Sequence, residues 1–336
     1  MNPVAKPTFM SEESAMAISH RYPVIFNPKA RSQKGSRVLR FLMGHANRFA
    51  LYATNHAGEA QELATRFAAA GEPVVIAAGG DGTLNEVVSG LAGSNTILGI
   101  LPAGTMNVFA REMGIPCDSM ERALEIIEHG LIREVDLFEA NGSPFVQMAG
   151  VGFDAQVIEE TTWESKKMLG PLAYLLAAVK VLGEKPPVME IILADGRRET
   201  GVAVLAGNGS LYGGQFKFFR NANNQDSKLD VLVYKEAGYR LVLDSLRGLA
   251  LGGIDLMEST SYFQTESFTV TADREMPVEV DGEWIGRFRE VRFKETPHHL
   301  RVLAPDGPLA GNFAETIKSL LNLPRHQPEL QVSRLP

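Results

Sequence analysis

The first third of the chain alternates short apolar runs with turns and helical segments, and this alternation constrains the fold more than any other feature. Residues 74–78 and 97–101 are apolar runs, as expected of strands covered on both faces. Each run ends in a glycine-containing turn that leads into a helical segment. Strands that alternate with helices form βαβ units with a parallel sheet and right-handed crossovers. We therefore predict a doubly wound, parallel-sheet α/β domain over residues 22–134.

This domain is predicted to contain four strands and five helices, which largely alternate. The predicted strands are residues 24–26, 48–53, 74–78 and 97–101, and the predicted helices are residues 35–47, 58–70, 83–91, 105–113 and 118–130. Gly71 directly follows the second helix, in the position where glycine commonly ends a helix. Residues 1–21, which precede the domain, are expected to form a disordered tail.

Beyond a boundary near residues 131–136 the pattern changes to short β-rich segments separated by turn signals. The predicted strands are residues 145–149, 188–193, 202–205, 229–234, 268–271, 278–280 and 291–293, interrupted by helices at residues 165–182 and 239–250. This pattern predicts a second, mostly antiparallel β-sandwich domain over residues 135–305. Residues 306–336 form a C-terminal segment with a predicted helix at residues 312–322, which we expect to pack back on the first domain.

Charge, cysteine content and hydropathy exclude several classes of protein. The 33 basic and 40 acidic residues give a net charge of −7, so the chain carries no overall electrostatic footprint for nucleic acid. A single cysteine excludes an intramolecular disulfide and a zinc site of the CxxC type, and it fits a reducing compartment. No apolar run reaches the roughly 18 residues of a membrane-spanning helix. We predict a cytoplasmic protein that binds no nucleic acid.

The turn after the third predicted strand carries the strongest functional pattern, Gly79-Gly80-Asp81-Gly82-Thr83-Leu84-Asn85-Glu86. Three glycines close together remove Cβ atoms where the chain turns, so backbone N–H groups can approach a ligand closely. The helix that follows offers unpaired N–H groups and the positive end of its dipole. This combination suits phosphate, and it lies at the sheet edge where α/β proteins bind ligands. A tight turn that serves packing alone is the alternative.

The next strand ends in a related turn, Leu101-Pro102-Ala103-Gly104-Thr105-Met106-Asn107-Val108-Phe109-Ala110. Gly104 lets the backbone turn, and Thr105 is suited either to bind a phosphate or to cap its helix. Because adjacent parallel strands end at the same edge of a sheet, we expect both turns to face one crevice.

These two motifs together resemble the diacylglycerol kinase catalytic domain family, most nearly its soluble bacterial lipid kinases, which are similar to sphingosine and ceramide kinases. Shorter segments extend the likeness over about residues 22–305: Asn27-Pro28, Gly150-Val151-Gly152-Phe153-Asp154, Gly207-Asn208-Gly209 and Val280-Asp281-Gly282-Glu283. The resemblance implies an ATP-dependent lipid kinase, a phosphotransferase with an alcohol acceptor. It also implies an NAD kinase/phosphofructokinase-like first domain and a nucleotide cleft between the two domains.

The resemblance assigns candidate roles to individual residues. ATP phosphates would lie on the first glycine turn, and Thr54 and Thr105 match positions that contact nucleotide. Asp281 matches the proposed general base, while Asp81 is a candidate for organising the catalytic Mg²⁺ through water, in a network that Glu283 is placed to join. With Asn27, which begins a basic loop, the predicted nucleotide-binding residues are Asn27, Thr54, Gly79, Gly80, Asp81, Gly82, Thr83, Leu84, Asn85 and Thr105.

A structural Mg²⁺ site is a further implied feature. It matches Asn223, Asp226 and Lys228, of which Asp226 would supply its carboxylate and Lys228 only a backbone carbonyl. The sequence departs from the family here, since many members have Asp-Gly where it has Asp226-Ser227. It also has Val108 where many relatives have an aspartate, which removes one acidic contact.

Several of these residues have plainer structural interpretations. Asp281-Gly282 is the same dipeptide as Asp195-Gly196 and Asp306-Gly307, and Asp-Gly is the favoured type I′ hairpin turn. Spacing alone therefore reads all three as turns, and only the family resemblance selects Asp281. Asp81 is also suited to stabilising its own turn, and Glu283 to an exposed hairpin position.

The lipid side of the prediction rests on the helix expected within residues 163–182. Its spacing places Met168, Leu172, Leu175, Val179 and Leu182 on one apolar stripe. The stripe is typical of a core-facing helix, and it also fits a wall of an acyl-chain groove or a surface that touches a membrane. Transient peripheral contact with the inner membrane face is the corresponding expectation.

Two other functions fit the glycine turns. One is an NAD-kinase-like or phosphofructokinase-like kinase, because Gly-Gly-Asp-Gly followed by Thr or Ser also occurs there. The other is a nucleotide-binding regulator that has lost catalysis. The second turn and residues 280–283 favour the lipid kinase. The sequence does not choose among diacylglycerol, phosphatidylglycerol and sphingoid acceptors, and it leaves the oligomeric state open, a homodimer included.

Overall fold

The computed structural model describes residues 21–28, 33–160, 186–214, 216–236 and 259–306. Residues 1–20 of the expected tail and the helices predicted at residues 165–182 and 239–250 lie outside the described residues. The same holds for the helix predicted at residues 312–322.

The described residues form six helices and eighteen strands, numbered in chain order. The helices are α1 (Gln33–Gly44), α2 (Glu59–Ala69), α3 (Asp81–Leu91), α4 (Val108–Glu112), α5 (Met120–His129) and α6 (Phe153–Glu160). The first strands are β1 (Tyr22–Phe26), β2 (Phe49–Ala53), β3 (Val74–Gly79), β4 (Ile97–Pro102), β5 (Leu131–Val135), β6 (Phe138–Ala140), β7 (Ser143–Phe145) and β8 (Met148–Val151). The others are β9 (Met189–Leu193), β10 (Arg198–Gly201), β11 (Ala203–Gly207), β12 (Leu211–Tyr212), β13 (Phe216–Lys217), β14 (Leu229–Tyr234), β15 (Thr260–Thr265), β16 (Ser267–Val280), β17 (Glu283–Glu295) and β18 (Leu300–Ala304).

The first domain is built on a six-stranded sheet in the order β2-β1-β3-β4-β18-β5. Strands β1 to β4 run parallel to their neighbours and β18 runs parallel to β4, whereas β5 is antiparallel at the edge. The α/β domain predicted from the alternating pattern is confirmed. Because β3 and β4 are adjacent and parallel, the two glycine turns that follow them lie at the same edge of the sheet.

The chain returns to this first sheet near the end of its described part. β18 pairs with β4 through Val302 and Leu98, and it pairs with β5 along its whole length. Leu300 and Val302 are buried in the core of the first domain. The segment at residues 300–304, which falls within the predicted second domain, therefore adds a strand to the sheet of the first domain. A five-residue β segment carries no local signal of which distant sheet it joins.

The second domain is an antiparallel sheet in the order β15-β14-β11-β8-β16-β17-β6-β7, with β9 on β16 and β10 on β9. This confirms the predicted antiparallel domain. The strands predicted at residues 268–271 and 278–280 are one strand, β16, whose register against β17 shifts between Thr271 and Met276. The exposed polar residues 273–275 lie inside that shift, which is why this stretch resembles a turn in the sequence.

Helix α4 is shorter than the helix predicted at residues 105–113. Asn107 adopts the left-handed conformation, with φ 49°, and forms the N-cap position. Its side-chain oxygen accepts a hydrogen bond from the Gly104 amide (2.8 Å), and its side-chain nitrogen donates to the Gly104 carbonyl (3.0 Å). The residues before Val108 are therefore held in a turn, and the exposed Thr105 does not cap the helix.

The cores of the two domains are joined at the crossover between them. Leu137 and Val146 follow β5 in sequence, yet both are buried in the core of the first domain. This packing fixes the start of the second domain against the first.

Helices α2 and α3 approach each other closely at Gly90. A Cβ atom on Gly90 would lie 2.5 Å from the carbonyl oxygen of Gln61 and 2.7 Å from Ala64 Cβ, closer than real Cβ contacts come. The missing side chain therefore sets the distance between these helices. Since α3 begins at the first glycine turn, this packing also positions the turn.

We predict that Gly90→Ala lowers the free energy of unfolding by about 1–3 kcal/mol, the usual range for an overpacked core. In an unhindered helix the same change stabilises by up to about 1 kcal/mol, so the close approach reverses the sign. Urea denaturation measures the difference. The control is Gly44→Ala in α1, where an added Cβ has nothing within 4 Å. Equal or increased stability of Gly90→Ala would contradict the packing described.

Candidate active site

The two glycine turns are in direct contact. A Cβ atom on Gly104 would lie 2.6 Å from Gly80 Cα, and one on Gly80 would lie 3.1 Å from Gly104 Cα. The Ala103 amide donates to the Gly79 carbonyl at 2.7 Å, which continues the β3–β4 pairing into the turns. The expectation that both turns face one crevice agrees with this contact, which only glycine at both positions allows.

Asp81 ties the two turns together. Its Oδ2 accepts from the Asn107 amide (2.9 Å) and its Oδ1 from the Val108 amide (2.6 Å). Burial raises the pKa of Asp81 above its usual value, and the two amide hydrogen bonds oppose this rise. Both oxygens thus already accept a backbone N–H, and Asp81 braces the second turn from the first.

A hairpin of the second domain reaches over the first turn. Asp281 and Gly282 connect β16 to β17 with positive φ angles of 48° and 82°, as a type I′ turn requires. A Cβ atom on Gly82 would lie 3.0 Å from Glu283 Oε1. The absence of a side chain at Gly82 makes room for this hairpin, so acidic residues of the second domain face the glycine turns.

The Asp281 carboxylate is held by three consecutive backbone amides. Val146 donates to Oδ2, and Gln147 and Met148 donate to Oδ1, each at 2.9 Å. Burial raises the pKa of Asp281 to about 6; the three amide bonds oppose this rise and the nearby charge of Asp81 adds to it. A carboxylate offers about four acceptor positions, so one on Oδ2 remains for a proton.

Asp195 shows what the same dipeptide does elsewhere. Its exposed carboxylate accepts from the Arg197 amide (3.0 Å) and from Arg197 Nε (2.6 Å). The amide hydrogen bond from Arg197 is the main reason that the pKa of Asp195 lies below its usual value. Sequence spacing does not distinguish Asp195 from Asp281, whereas their surroundings shift the two pKa values in opposite directions.

Asn27 and Thr54 lie at the same edge of the sheet as the glycine turns. Asn27 directly follows β1, and Thr54 directly follows β2, the neighbour of β1. Thr54 is buried, and its amide donates to the Phe26 carbonyl at 2.9 Å. Both predicted residues therefore follow strands of the sheet whose β3 and β4 lead into the glycine turns.

Residues 83–85 have different environments: the first packs over the glycine turn, the second lies in the core, and the third has a buried side-chain oxygen. Thr83 packs over Gly79, where a Cβ atom would lie 2.7 Å from Thr83 Oγ1. Leu84 is buried in the core, and its amide donates to the Gly80 carbonyl at 3.0 Å. Asn85 Oδ1 is buried and accepts no hydrogen bond from any described residue.

The predicted structural metal residues lie in a loop that packs on the domain crossover. Asp226 Oδ1 accepts from the Lys228 amide at 3.1 Å, while Asp136 accepts from the Ser227 amide at 2.6 Å. Burial raises the pKa of Asp226, and the charge of Asp136 adds to the rise. Ser227 has φ 57°, a conformation that favours glycine, and it stands at the position where many family members have the glycine of Asp-Gly. Asn223 is exposed in the same loop.

A second group of metal-type donors borders this loop. Asp136, Glu295 and His299 each offer one donor atom, and these atoms lie within 4.8 Å of one another. His299 Nδ1 is 3.2 Å from Asp136 Oδ1 and 3.9 Å from Glu295 Oε1. The sequence analysis missed this group because Asp136 is distant in sequence from the other two, Glu295 and His299, which are four residues apart.

The sequence analysis also missed two buried polar residues beside the cleft, Glu112 and Gln147. Their side chains hydrogen-bond each other across the domain boundary at 3.0 Å. Neither lies in a recognisable motif, so no pattern could have singled them out.

Comparison with known proteins agrees with this architecture. The diacylglycerol kinase catalytic domain family matches residues 21–140, and the YegS C-terminal NAD kinase beta sandwich-like domain matches residues 147–304. A diacylglycerol kinase of Bacillus subtilis (strain 168) is 31% identical over 262 residues, which cover 76% of this chain and 85% of that protein. A YegS-like protein of Pseudomonas fluorescens, named as a probable lipid kinase, is 34% identical over 263 residues, which cover 77% and 86%.

A solved structure shows the same fold. A crystal structure of a Bacillus anthracis protein, provisionally described as a diacylglycerol kinase, superposes with a TM-score of 0.72 and 26% identity, covering 85% of this chain and 95% of that one. Fold and site therefore define a two-domain phosphotransferase of the kinase class. The chain belongs to the diacylglycerol kinase catalytic domain family.

We predict that the side-chain carboxyl of Asp281 titrates near pH 6, whereas that of Asp195 titrates below the usual range of aspartate. Burial raises the pKa of Asp281, whereas hydrogen bonds from Arg197 lower the pKa of Asp195. ¹³C NMR of aspartate-labelled protein measures both, with resonances assigned from Asp281→Asn and Asp195→Asn. Equal midpoints for the two carboxyls would contradict the site geometry.

Proposed function

We propose that this protein is an ATP-dependent lipid kinase that transfers the γ-phosphate of ATP to a lipid hydroxyl. The observation that carries the proposal is the contact between the two glycine turns, with the Asp281 hairpin facing them from the other domain. Phosphoryl transfer depends mainly on positioning and charge stabilisation, which such a cleft supplies.

The glycine turns fit the phosphates of a nucleotide. Gly80, Gly82 and Gly104 carry no side chain that would cover the backbone of the turns, so their backbone amides can come close to a phosphate. Helix α3 begins at Asp81 with its N-terminal amides and dipole directed at this edge. The exposed Thr105 hydroxyl lies on the second turn, where it is available to a phosphate oxygen.

The acidic side chains fit a magnesium ion that accompanies ATP. Glu283 lies beside Gly82, and Asn85 Oδ1 is a buried oxygen without a described donor. Asp81 accepts two amides, so contact through water suits it better than direct ligation. When bound, the ion would neutralise phosphate charge during transfer. Asp226, with carbonyls of Asn223 and Lys228, is the proposed site of a second, structural ion.

Asp281 is the proposed general base. Its carboxylate has one acceptor position left on Oδ2, and a pKa of about 6 suits a base that works near neutral pH. As the lipid oxygen bonds to the γ-phosphorus and the bond to ADP breaks, Oδ2 accepts the hydroxyl proton. The three amides of residues 146–148 hold the carboxylate in place for this transfer.

A lipid acceptor is supported by the names of the relatives and by the surface beside Asp281. Trp284 is 47% exposed on β17, three residues beyond Asp281 in sequence, so the strand that follows the proposed base presents a large apolar side chain to solvent. No helix in the described part of the chain is long and apolar enough to cross a bilayer. We propose transient contact with a membrane surface, from which the substrate enters the cleft.

The function is tested by incubating purified protein with Mg²⁺ and γ-labelled ATP. Diacylglycerol, phosphatidylglycerol, a sphingoid base and NAD are offered separately, the lipids in mixed micelles. Label in a lipid phosphate supports the proposal and identifies the acceptor class. Label only in NADP, or no product with any acceptor, would contradict it.

We predict that Asp281→Asn lowers kcat by about 10²-fold or more, the scale expected for a general base. The asparagine nitrogen faces a backbone N–H, so a stability loss of about 1–3 kcal/mol accompanies the change, and assays are run below the variant's melting temperature. Asp195→Asn, at the matched turn, is the control and keeps wild-type kcat. In the wild type, kcat falls as pH drops through about 6, because protonated Asp281 cannot accept a proton. Near-normal turnover by folded Asp281→Asn would remove it from this role.

A further inference from the structure

Glu112 is a buried carboxylate at the boundary between the domains, only 4% exposed. Its Oε2 accepts from Gln147 Nε2 (3.0 Å) and from the Leu211 amide (2.8 Å), and its Oε1 accepts from Ser210 Oγ (2.9 Å). All three donors are neutral and belong to the second domain. Burying a charge among neutral donors is costly, and apolar side chains join surfaces at least as well. Stability alone therefore does not account for this arrangement.

Glu112 is also the last residue of the helix that holds Asp81. The first residues of that helix, Asn107 at the N-cap and Val108, donate their amides to the Asp81 carboxylate. Helix α4 has five residues. At 1.5 Å per residue, it spans about 7–8 Å. Asp81 and Glu112 are thus attached to opposite ends of one short, rigid element.

Gln147 continues the connection to Asp281. Its backbone amide donates to Asp281 Oδ1 at 2.9 Å, and its carbonyl accepts from the amides of Asn208 (2.9 Å) and Gly209 (3.1 Å). Its side chain is fixed by Glu112 and by the Leu211 carbonyl (2.9 Å). A Cβ atom on Gly209 would overlap that side chain. The strand segment that holds Asp281 is therefore anchored to α4 through Gln147.

We propose that Glu112 is a positioning residue, which through Gln147 fixes the amides that hold Asp281 relative to the helix whose amides hold Asp81. The inference rests on the proposed function, in which these two carboxylates act on the same phosphoryl transfer. Glu112 itself touches neither the glycine turns nor Asp281 in any described hydrogen bond. Its loss leaves the nucleotide-binding turns intact and displaces the base.

Two substitutions separate the acceptor role of Glu112 from its charge. Glu112→Leu removes the carboxylate, so Gln147 Nε2 and the Leu211 amide lose the oxygen to which both donate. Glu112→Gln keeps one oxygen for those two donors, and its nitrogen donates to Ser210 Oγ, whose hydroxyl rotates to accept. If the role of Glu112 is to fix the geometry, Glu112→Leu has a lowered kcat and Glu112→Gln keeps a kcat close to wild type.

The kinetic test compares both variants with Asp230→Asn. Asp230 is a fully buried carboxylate that accepts from the Tyr262 hydroxyl and Gln264 within the second domain, so its variant controls for general destabilisation. We expect Glu112→Leu to lower kcat about 10- to 100-fold, the effect of a roughly 1 Å misplacement, with KM for ATP close to wild type. Glu112→Gln and Asp230→Asn keep a kcat close to wild type.

Hydrogen exchange at the amides of Val146, Gln147 and Met148 provides a readout that needs no activity, because each of these amides donates to the Asp281 carboxylate. We expect faster exchange at these three amides in Glu112→Leu and wild-type exchange in Glu112→Gln, whereas Asp230→Asn leaves their exchange unchanged.

The two readouts separate this inference from the proposed function. Unchanged hydrogen exchange at the amides of residues 146–148 in Glu112→Leu, or a kcat loss no larger than that of Asp230→Asn, would overturn the positioning role. If the wild type phosphorylates no lipid while the exchange of these amides still changes as expected, the positioning role stands and the proposed function fails.

Discussion

The contact between Gly80 and Gly104 is the constraint on which the rest of the site depends. Two parallel strands end side by side, and their turns touch only because neither has a side chain at the contact. The Asp81 carboxylate then bridges from the first turn to the amides of the second. Backbone donors that belong to separate βα units become one continuous surface, which is what a chain of phosphates needs. A Cβ atom on Gly80 or Gly104 would separate the two turns and interrupt this surface.

The site also depends on the electrostatic surroundings of its two buried aspartates. Asp81 and Asp281 are carboxylates from different domains, and each accepts hydrogen bonds from backbone amides of another element. Burial raises the pKa of both, and the amides limit the rise. An arginine partner would keep a carboxylate ionised and occupied, whereas amides leave Asp281 able to gain and lose a proton near neutral pH. The same geometry that fixes the base therefore sets its basicity.

The parallel sheet and its glycine turns could be predicted because their signals are local: apolar runs of strand length, followed by glycine and a helix. The pairing of β18 could not be predicted, because its partner β4 lies some two hundred residues earlier and tertiary packing decides which strands pair. Asp281 and Asp195 share one dipeptide and differ only in what surrounds them. Glu112 has no sequence signal, because a buried charge is recognised only when its three donors are seen.

The most direct test of the central claim is an amide ¹H–¹⁵N titration of the protein with Mg²⁺ and a non-hydrolysable ATP analogue. If the two turns form one phosphate-binding surface, the resonances of Gly80, Gly82, Gly104 and Thr105 shift together and saturate at a single apparent Kd. Gly142 and Gly196, in hairpins of the second domain, stay unchanged. Shifts confined to one turn, or saturation of the two turns at different ligand concentrations, would contradict the account.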